Sequence, residues 1–282
     1  MSSTTAKSLA NKSAADIAAD FRALHVAAGM FLLPNPFDIG SAKLLEHVGF
    51  KALATTSGGF AWSQGKLDGA VTREEKLAHC RALSEAVNIP VMADLGPGFG
   101  ESPKDIAETV RLAAETGLAG CSIEDAANPY FGGSYEFDLA VERVAAAVEA
   151  ARGLPRDFVF TARCEEFATG PRDLDTAIKR LQAYEAAGAD VLHAPGLTEL
   201  EHIRAVCDAV TKPVNVLVGF RQFQISADDL EAAGVKRISL GTDLARIAYG
   251  AMLNASTEFL KTREIKEHQV EARSKDVAAG FF

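Results

Sequence analysis

Residues 91–100 of the chain read VMADLGPGFG. A short apolar run ends there on a single carboxylate, Asp94, and the chain then passes through three glycines and a proline. Such a run is typical of a parallel strand that is buried on both faces, and glycines after it allow the backbone to approach a ligand closely. The stretch therefore predicts a strand whose carboxyl end carries a functional acid, although a plain tight turn fits the composition equally well.

The same alternation of a short apolar run and a longer helical stretch recurs along the chain. The eight predicted strands span 29–34, 51–56, 89–94, 120–125, 157–163, 189–195, 212–218 and 236–241. The predicted helices that follow them span 41–48, 72–87, 103–116, 138–152, 173–187, 198–210, 226–233 and 242–253. Thr72 with Glu75 predicts a capping box, and Ser102 before Pro103 predicts a helix start.

Eight such units predict an α/β fold, a (β/α)₈ TIM barrel, formed as a single domain by residues 1–282. An open doubly wound sheet is the alternative, but the regular units, each with a polar residue at the end of its strand, favour a closed barrel. A further amphipathic helix is expected over 14–28, where it would cover the bottom of the barrel. A helical extension is expected from about residue 255, and the two phenylalanines at its end are expected to be buried, for example against a neighbouring subunit.

The composition argues against some classes of partner. The chain has 282 residues, a formal net charge of −9 and a pI of about 5.2. Nucleic acids and anionic membranes require a basic face, so neither is expected as a partner, whereas a small anionic substrate in a locally positive pocket is compatible with this charge. The four cysteines form no CxxC pair, and no apolar run approaches the roughly 20 residues that span a bilayer. A cytoplasmic protein with free thiols is therefore expected.

Nearly every predicted strand ends beside a polar residue, at the end of a barrel where active sites lie. These residues are Asn35, Asp38, Ser57, Asp94, Glu124, Asp125, Arg163, Glu165, His193, Asn215, Thr242 and Asp243. The rim of a barrel is polar in any case because it meets water, but carboxylates inside apolar runs need a partner or a cation. Asp94 and Glu124 end neighbouring strands, so they are predicted to share a hydrated Mg²⁺, whose ligands are oxygens.

Three further residues have candidate roles. Arg163 can hold a substrate carboxylate with two parallel hydrogen bonds, or alternatively form a structural ion pair with Glu165 or Glu124. Ser57 can offer its hydroxyl and nearby backbone amides to an anion, and nothing marks it as a nucleophile. His193 is a candidate acid, base or substrate ligand, although a single histidine on a strand is more often a packed core residue.

These motifs together resemble the isocitrate lyase/phosphoenolpyruvate mutase superfamily over roughly residues 20–255. The segments that carry the resemblance include TTSGGFAWSQGKLDG, PVMADLGPGFG, GCSIEDA, FTARCEEF, PVNVL and GVKRISLGTDLARIAYGAM, in this order. The resemblance, to members of the carboxyvinyl-carboxyphosphonate phosphorylmutase or 2-methylisocitrate lyase type, implies a barrel whose last helix is swapped with a neighbour in a homodimer or homotetramer. It also implies a Mg²⁺-dependent enzyme that makes or breaks a C–C or P–C bond beside the enolate of a small keto acid.

Carried onto this sequence, the resemblance assigns roles to the strand-end residues. Asp68, Asp94 and Glu124 look like the acids around the metal. The predicted substrate-binding residues are Ser57, Gly58, Gly59, Arg163, Glu165, Asn215 and, from its place at the end of a strand, His193. Arg163, Glu124 and Asp94 are expected to be catalytic, acting on a small anionic carboxylate substrate.

Two departures from the family pattern are visible in the sequence. The mutases and methylisocitrate lyases usually carry D-x-D on the third strand, with the first acid often on the metal, whereas this chain has Met92 there and Gly96 where many relatives have a further acid. A thioether is a poor ligand for a hard cation. The loop over 126–138 has neither the K-[KR]-C-G-H motif of the lyases nor the Lys-Thr-Asn type of loop of the mutases, so Tyr130 and Tyr135 are its candidate proton sources.

The leading functional prediction is an enzyme, a lyase acting on a C–C bond of a small α-keto or α-hydroxy di- or tricarboxylic acid through a metal-stabilised enolate. Retro-aldol cleavage and an oxaloacetate-type decarboxylation both fit, because each ends at an enolate. The first alternative is a phosphonopyruvate-type mutase or hydrolase acting on a P–C bond. The second is a metabolite-binding protein without catalysis on the same scaffold, which the presence of Met92 motivates.

Overall fold

The strands of the protein form one parallel sheet of eight that curls into a barrel. The computed structural model describes residues 12–127, 133–219, 224–264 and 274–281. The strands are β1 (Phe31–Leu33), β2 (Leu53–Ala54), β3 (Val91–Asp94), β4 (Gly120–Glu124), β5 (Val159–Arg163), β6 (Val191–His193), β7 (Val214–Leu217) and β8 (Arg237–Ser239). They are hydrogen-bonded in the order β1-β8-β7-β6-β5-β4-β3-β2, so each strand lies beside its neighbours in sequence.

Helices connect the strands and surround the sheet. They are α1 (Ala14–Val26), α2 (Ile39–Val48), α3 (Ser57–Ser63), α4 (Arg73–Ala86), α5 (Pro103–Ala114), α6 (Phe137–Arg152), α7 (Leu174–Ala186), α8 (Leu200–Ala209), α9 (Ala227–Ala232), α10 (Asp243–Thr262) and α11 (Ser274–Ala278). The order of elements confirms the predicted (β/α)₈ barrel class. The sequence did not predict α3, because its seven residues, SGGFAWS, include two glycines, which are poor helix formers.

Single hydrogen bonds close the seam of the barrel between β1 and β2. The amide of Ala54 donates to the carbonyl oxygen of Pro34 at 3.0 Å. The side-chain amide of Asn35 donates to the carbonyl of Thr55 at 3.1 Å, and its Oδ1 accepts from the backbone amides of residues 240–241 at 2.8 and 2.9 Å. Asn35, one of the predicted polar strand ends, thus ties β1, β2 and the segment after β8 together.

Helix α1 covers the bottom of the barrel, as the sequence predicts. Its fully buried Phe21 belongs to one apolar cluster with side chains of the strands, among them Leu33, Ala54, Met92, Val159 and Val191. Arg22 of the same helix forms an ion pair with Asp190 at 3.1 Å and so fixes α1 to the loop before β6. Because the lower part of the lumen is filled by this cluster, we expect a ligand to enter from the carboxyl ends of the strands.

The helices that flank β3 begin where the capping signals predict. At the start of α4, the Glu75 amide donates to Thr72 Oγ1 at 3.3 Å, and the Thr72 amide donates to Glu75 Oε2 at 2.9 Å. At the start of α5, the Asp105 amide donates to Ser102 Oγ at 3.2 Å, and Pro103 is the first helical residue. These caps satisfy amides that have no partner inside the helix, and they set where the loops beside Asp94 end.

Helix α10 is longer than predicted. The predicted helix over 242–253 continues without a break to Thr262, so the helix does not end before the expected extension. Its second half carries exposed apolar side chains, including Met252, Leu253 and Leu260, the last of them 84% exposed. None of the helices in the described part of the chain combines the length and the apolar character needed to cross a membrane.

The end of the described chain packs against α2 of the same molecule. A final 3₁₀ turn, Ala279–Phe281, follows α11, and Phe281 lies against Gly40 while Gly280 lies against Leu44. Phe281 is 41% exposed, so α2 covers its ring only in part, and its burial against a neighbouring subunit stays a prediction. Phe282, the other terminal phenylalanine, lies outside the described residues.

Candidate active site

Two adjoining cavities open at the carboxyl ends of the strands. The barrel cavity, of about 310 Å³, occupies the mouth of the barrel, and the lateral groove, of about 670 Å³, runs outward over the loops after β2 to β5. Ser57, Asp68, Asp94 and Arg163 line both cavities and mark their junction. The barrel cavity is further lined by Met92, Ser122, His193, Asn215 and Arg237, and the lateral groove by Phe60, Lys76, Leu95, Phe99, Glu124 and Glu165.

Arg163, the last residue of β5, lies among three of the predicted acids. Glu124 is its register partner on β4, and paired residues of neighbouring strands point to the same face. Nη1 of Arg163 lies 3.3 Å from Glu124 Oε2 and 3.4 Å from Asp94 Oδ2, and Nε donates to Glu165 Oε1. Within the described residues Nη2 makes no hydrogen bond. The ion pairs considered from the sequence therefore form, and two N–H groups remain for a ligand.

The negative charge of the junction exceeds its positive charge. Burial raises the pKa of Glu124 to about 8, and although Arg163 lowers it, the charges of Glu165 and Asp94 raise it further. Burial likewise raises the pKa of Glu165 against the effect of Arg163. Burial lowers the pKa of Arg163, but the surrounding carboxylates outweigh this effect and raise it well above its usual value. Arg163 therefore stays charged, and Glu124 takes up a proton more readily than an ordinary glutamate.

Asp68 and Ser57 form the side of the junction next to β2. Ser57 Oγ donates to Asp68 Oδ2 at 3.3 Å. Burial raises the pKa of Asp68, and the charge of Asp94 adds to this effect. Asp68 and Asp94, two of the acids predicted to hold the metal, therefore both lie at the junction, although they are far apart in the sequence.

The glycines after Ser57 serve the packing of α3. A side chain on Gly58 would place its Cβ 2.7 Å from Thr242 Cγ2 and 3.0 Å from Asp68 Oδ2, so only glycine lets α3 and the segment after β8 meet behind the site. The amide of Gly59 donates to Thr56 Oγ1 at 3.3 Å. The amide of Gly59 is therefore engaged in the cap of α3, and the binding of the substrate carboxylate by Ser57, Gly58 and Gly59 stays a prediction.

His193 faces the barrel cavity. It ends β6, it is buried, and its Nε2 has no hydrogen-bond partner within the described residues. Burial lowers the pKa of His193 well below its usual value, and the charges of Arg163 and Arg237 lower it further. A neutral imidazole with one ring nitrogen free is therefore available to a ligand in the cavity, which suits the predicted substrate contact without testing it.

Asn215 lies in the lumen of the barrel and is already engaged there. Its side-chain amide donates to Ser239 Oγ at 3.0 Å, and its Oδ1 accepts from Nε of Arg237 at 2.8 Å. Nη2 of Arg237 donates to Thr161 Oγ1 at 3.1 Å, and Nη1 lies 3.0 Å from Nε2 of His25 on α1. Asn215 thus holds the buried arginine, and its predicted contact with substrate remains untested.

Arg237 was missed by the sequence analysis. It is almost completely buried without a carboxylate partner among the described residues, and burial lowers its pKa to about 9. A signal was present, since Arg237 and Ser239 alternate with an apolar residue in KRISLG, and alternation of this kind places both on the inner face of a strand. The positive charge in the lumen makes the barrel cavity attractive to anions.

Asp125, although next to Glu124, turns away from the junction. Its Oδ1 accepts from the Glu165 amide at 2.8 Å, and its Oδ2 accepts from the Tyr184 hydroxyl at 2.6 Å and from Arg180 at 3.3 Å. Successive residues of a strand point to opposite faces, which separates the two acids of the IED motif. Asp125 therefore orients the loop that carries Glu165 and takes no direct part in the site.

The glycine-rich loop after β3 follows a path that most side chains would block. Gly96, Gly98 and Phe99 have φ values of 55°, 90° and 60°. A Cβ on Gly98 would lie 2.4 Å from Ile106 Cδ1. The Gly96 amide donates to Asp94 Oδ1 at 3.1 Å. The loop therefore needs glycine to turn sharply and to orient Asp94, and it places Phe99 in the wall of the lateral groove.

The loop after β4 is described only in part. Tyr135 donates its amide to the Asp125 carbonyl at 2.8 Å, and the guanidinium of Arg143 lies 4.1 Å from the centre of its ring. Tyr135 lines neither cavity, so the structure does not place this predicted proton source at the junction. Tyr130, the other candidate, lies outside the described residues.

The donor set at the junction suits a hydrated magnesium ion better than a fully protein-bound one. Asp68, Asp94 and Glu124 offer only oxygens, and the raised pKa values of Asp68 and Glu124 mark an excess of negative charge that a cation would relieve. Within the described residues, however, no three acidic, histidine or cysteine side chains converge on one point. Met92 is 3% exposed and lies one step deeper in the apolar lumen, where it offers no oxygen. The residues present therefore fit a Mg²⁺ that keeps several waters.

A family profile and curated proteins match this sequence. The profile of the family described as phosphoenolpyruvate phosphomutase matches residues 21–260. The 2-methylisocitrate lyase of Escherichia coli (strain K12) is 31% identical over 227 residues, which cover 76% of this chain and 75% of that protein. The 2,3-dimethylmalate lyase of Eubacterium barkeri is 31% identical over 251 residues, which cover 85% of each chain.

A solved structure is more similar still. A protein of Burkholderia cenocepacia J2315, described provisionally as a lyase/mutase, is 50% identical and superposes with a TM-score of 0.92. The match covers 95% of this chain and 97% of that chain. The similarity therefore extends over nearly the whole barrel, including the strand ends that form the junction.

Proposed function

The chain belongs to the phosphoenolpyruvate phosphomutase family, within the isocitrate lyase/phosphoenolpyruvate mutase superfamily, and from this premise we propose that it is a C–C lyase for small α-keto or α-hydroxy di- or tricarboxylic acids. The curated relatives described above are lyases named for methyl-substituted acids of this kind. The observation that carries the proposal is the junction itself. One arginine with free N–H groups lies among acids that include Glu124, whose pKa burial raises, at the carboxyl ends of the strands.

In this mechanism Arg163 binds the carboxylate next to the reacting carbon. Nη2 supplies hydrogen bonds to it, because Nε and Nη1 are occupied by the surrounding acids. Ser57, at the start of α3, lies on the opposite side of the junction, and its hydroxyl would turn from Asp68 to the substrate when substrate binds. The acids that hold Arg163 fix the orientation of its planar group, which places the substrate before any bond breaks.

Proton transfer falls to the carboxyl groups of the junction. In a retro-aldol cleavage, the substrate hydroxyl gives its proton to a carboxylate, for which Asp94 is well placed, and the C–C bond breaks as a carbonyl forms. The bonding electron pair remains on the departing acid as an enolate. Glu124, whose raised pKa favours its protonated form, then donates its proton to the enolate carbon.

A magnesium ion fits this mechanism as a charge partner. Asp68 and Asp94 would hold it, in part through water molecules, because Glu124 serves here as the proton donor. When bound, it would supply positive charge that favours the enolate oxygen. The binding of the substrate and the proton transfers above depend on residues of the chain.

Calorimetry tests the site directly. We expect oxalate, a small dianion that resembles an enolate, to bind in the presence of Mg²⁺ and to lose binding in Asp94→Ala and Glu124→Ala. Arg163→Lys should lower kcat/KM by about 100-fold or more, because lysine cannot replace the planar donor group. Arg204→Lys, a change on an exposed face of α8, is the matched control. If Arg163→Lys has full activity, or if the Ala variants bind oxalate as the wild type does, the proposed site is wrong.

P–C bond chemistry is the second candidate, favoured by the name of the matching family profile. The same carboxylate site would bind phosphonopyruvate. Incubation of the protein with phosphonopyruvate and Mg²⁺, followed by ³¹P NMR, distinguishes the two functions. Release of phosphate or formation of phosphoenolpyruvate would replace the C–C proposal.

We also propose that the chain assembles as a homodimer or homotetramer in the cytoplasm. The exposed apolar face at Met252, Leu253 and Leu260 of α10 supports assembly, since such a face is usually covered by a partner. The four cysteines are all free, which is consistent with a reducing compartment.

A further inference from the structure

Lys76 is a buried cation at the lateral groove, and no carboxylate of the described residues lies within ion-pair distance of it. It lies in the first turns of α4, it is 2% exposed, and it lines the groove. Nζ donates to Thr55 Oγ1 at 2.9 Å, and within the described residues it makes no other hydrogen bond and has no carboxylate within 4.0 Å. Two of its three N–H groups are therefore unused.

The nearest acid in the sequence does not compensate this charge. Glu75 belongs to the capping box of α4 and forms an ion pair with Lys66, on the solvent side of the helix. The ring of Phe60 lies 6.0 Å from Nζ, at the limit of a cation–π contact. Asp68 is close enough for the charge of Lys76 to lower its pKa, but it forms no ion pair with the ammonium group. The two unused N–H groups of this buried cation can therefore bind an anion that enters the groove from outside the chain.

The position of Lys76 relative to the junction indicates what that anion is part of. The hydroxyl oxygen of Thr55 that accepts from Lys76 also accepts from the backbone amide of Asp94, at 3.1 Å. The ammonium group therefore lies close to the backbone of Asp94, the acid that lines both cavities. Arg163 lies at the junction and Lys76 further along the same groove, so a molecule in the groove meets two separate positive groups.

The walls of the groove strengthen this second positive site. Phe60, Leu95 and Phe99 line it, and Phe99 holds the left-handed φ of 60° that non-glycine residues rarely adopt. Apolar walls lower the local dielectric constant and increase the attraction between an ammonium group and an anion. Strained residues of this kind tend to occur at functional sites.

We infer that Lys76 binds the second carboxylate of the substrate and so selects dicarboxylic over monocarboxylic acids. This inference rests on the proposed function and deepens it. Arg163 holds the carboxylate beside the reacting carbon, and Lys76 holds the one at the other end. A structural role, in which Lys76 only supports Thr55, is the competing explanation.

Malate and lactate are the matched probes, because both are α-hydroxy acids and only malate has a second carboxylate. We expect Lys76→Met to weaken malate binding by about 10- to 100-fold in calorimetry, as for a lost charged hydrogen bond, while lactate binding changes by less than about twofold. Lys76→Arg should recover part of the malate affinity. Lys66→Met is the control. Lys66 precedes α4 and forms an ion pair with Glu75 of that helix, so this variant should bind both ligands normally.

Stability separates the two explanations. If Lys76 serves the substrate, Lys76→Met removes an uncompensated buried charge and the thermal midpoint should stay the same or rise. Lys76→Gln, which retains a donor for Thr55, should lose malate selectivity in the same way and serves if Lys76→Met does not fold. A lower thermal midpoint with malate and lactate weakened alike would overturn the inference, and so would malate binding that is unchanged in both variants.

The outcomes are independent of turnover. Binding is measured with ligands that need not react, so absence of lyase activity on every acid tested would contradict the proposed function and leave the assignment of Lys76 intact. Reductive trapping of pyruvate on Lys76 by borohydride would show an imine at this nitrogen and would overturn the carboxylate role.

Discussion

Glu124 and Asp125 are adjacent in the sequence, but their side chains have different partners in the structure. The sequence indicates an acidic strand end, but only the alternation of β4 sends Glu124 to Arg163 and Asp125 to Tyr184 and Arg180. The resemblance to a known superfamily separated the two acids before the structure did. It gave no role to Lys76 or Arg237. Both are notable because they are buried with no ion-paired carboxylate among the described residues, which the sequence does not reveal.

The pH dependence of stability should report the raised pKa of Glu124. The group has an ordinary value of 4.5 and titrates near 8 in the folded protein, so between these values the folded state binds more protons than the unfolded state. Stability should therefore fall as the pH rises through this window. Urea unfolding at pH 5.5 and at pH 8 should show a smaller loss in Glu124→Gln than in the wild type.

Glu108→Gln, at an exposed position of α5, is the control for that measurement and should follow the wild type. A Glu124→Gln variant with the wild-type pH dependence would mean that Glu124 is ionised in the folded protein, and its role as proton donor would then be untenable.

Met92→Asp should restore the acid that the family pattern places on β3. A carboxylate at this buried position is costly without a cation, so the free variant should be less stable than the wild type. Because a ligand that binds only the folded state stabilises it, Mg²⁺ should raise the thermal midpoint of Met92→Asp more than that of the wild type. Met92→Leu, which adds no oxygen, should show no such gain, and an equal response of all three proteins would contradict the prediction.

Among the elements, the loop after β3 and helix α3 show the structural reason for the glycines that lie beside the acids of the site. The loop over 95–100 uses left-handed backbone to turn under Ile106. Helix α3 uses Gly58 to come close to Thr242, and Gly59 to come close to Phe37 and Ala245. For the loop after β3 the sequence left open both close approach to a ligand and a plain tight turn, and for Gly58 and Gly59 the resemblance implied contact with substrate. The structure shows packing between elements at Gly58, Gly59 and Gly98.

Gly96 and Gly98 provide a matched test of this explanation. Both have positive φ, but a Cβ on Gly96 would meet no atom within 4 Å, while one on Gly98 would meet Ile106 Cδ1 at 2.4 Å. Gly96→Ala should therefore cost about 1–2 kcal/mol for the left-handed backbone alone. Gly98→Ala should cost about 2–4 kcal/mol, since overpacking adds to the strain. Unfolding free energies in urea measure both, and equal costs would show that the contact with Ile106 is easily relieved.

At the scale of the molecule, the barrel separates stability from chemistry along its axis. The bottom is closed by α1 and an apolar lumen, while the open end carries the cavities and the charged junction. The seam between β1 and β2 depends on Asn35, which joins both strands to the segment after β8. Buried charges and strained loops at the open end are tolerated because the rest of the barrel is well packed.

The exposed face of α10 should form the contact between subunits. Light scattering after size-exclusion chromatography should give a dimer or tetramer for the wild type. Leu253→Glu together with Leu260→Glu should shift the protein toward the monomer, because charges on an apolar interface are desolvated when it forms. Glu258→Gln on the same helix is the control. A wild-type monomer, or an assembly indifferent to the double change, would place the interface elsewhere.

The sequence by itself determined the barrel, because buried parallel strands and amphipathic helices leave separate periodic signals, and it determined the junction acids with Arg163, because these share strand ends and resemble a known superfamily. Only the tertiary structure decided that Asp125 pairs with Tyr184 and Arg180, that the amide of Gly59 is already engaged, and that Lys76 and Arg237 are buried with no ion-paired carboxylate among the described residues. The physical reason is that burial and the balance of charge are properties of the space between elements. Residues such as Thr55 and Lys76, 21 positions apart, meet only once that space is built.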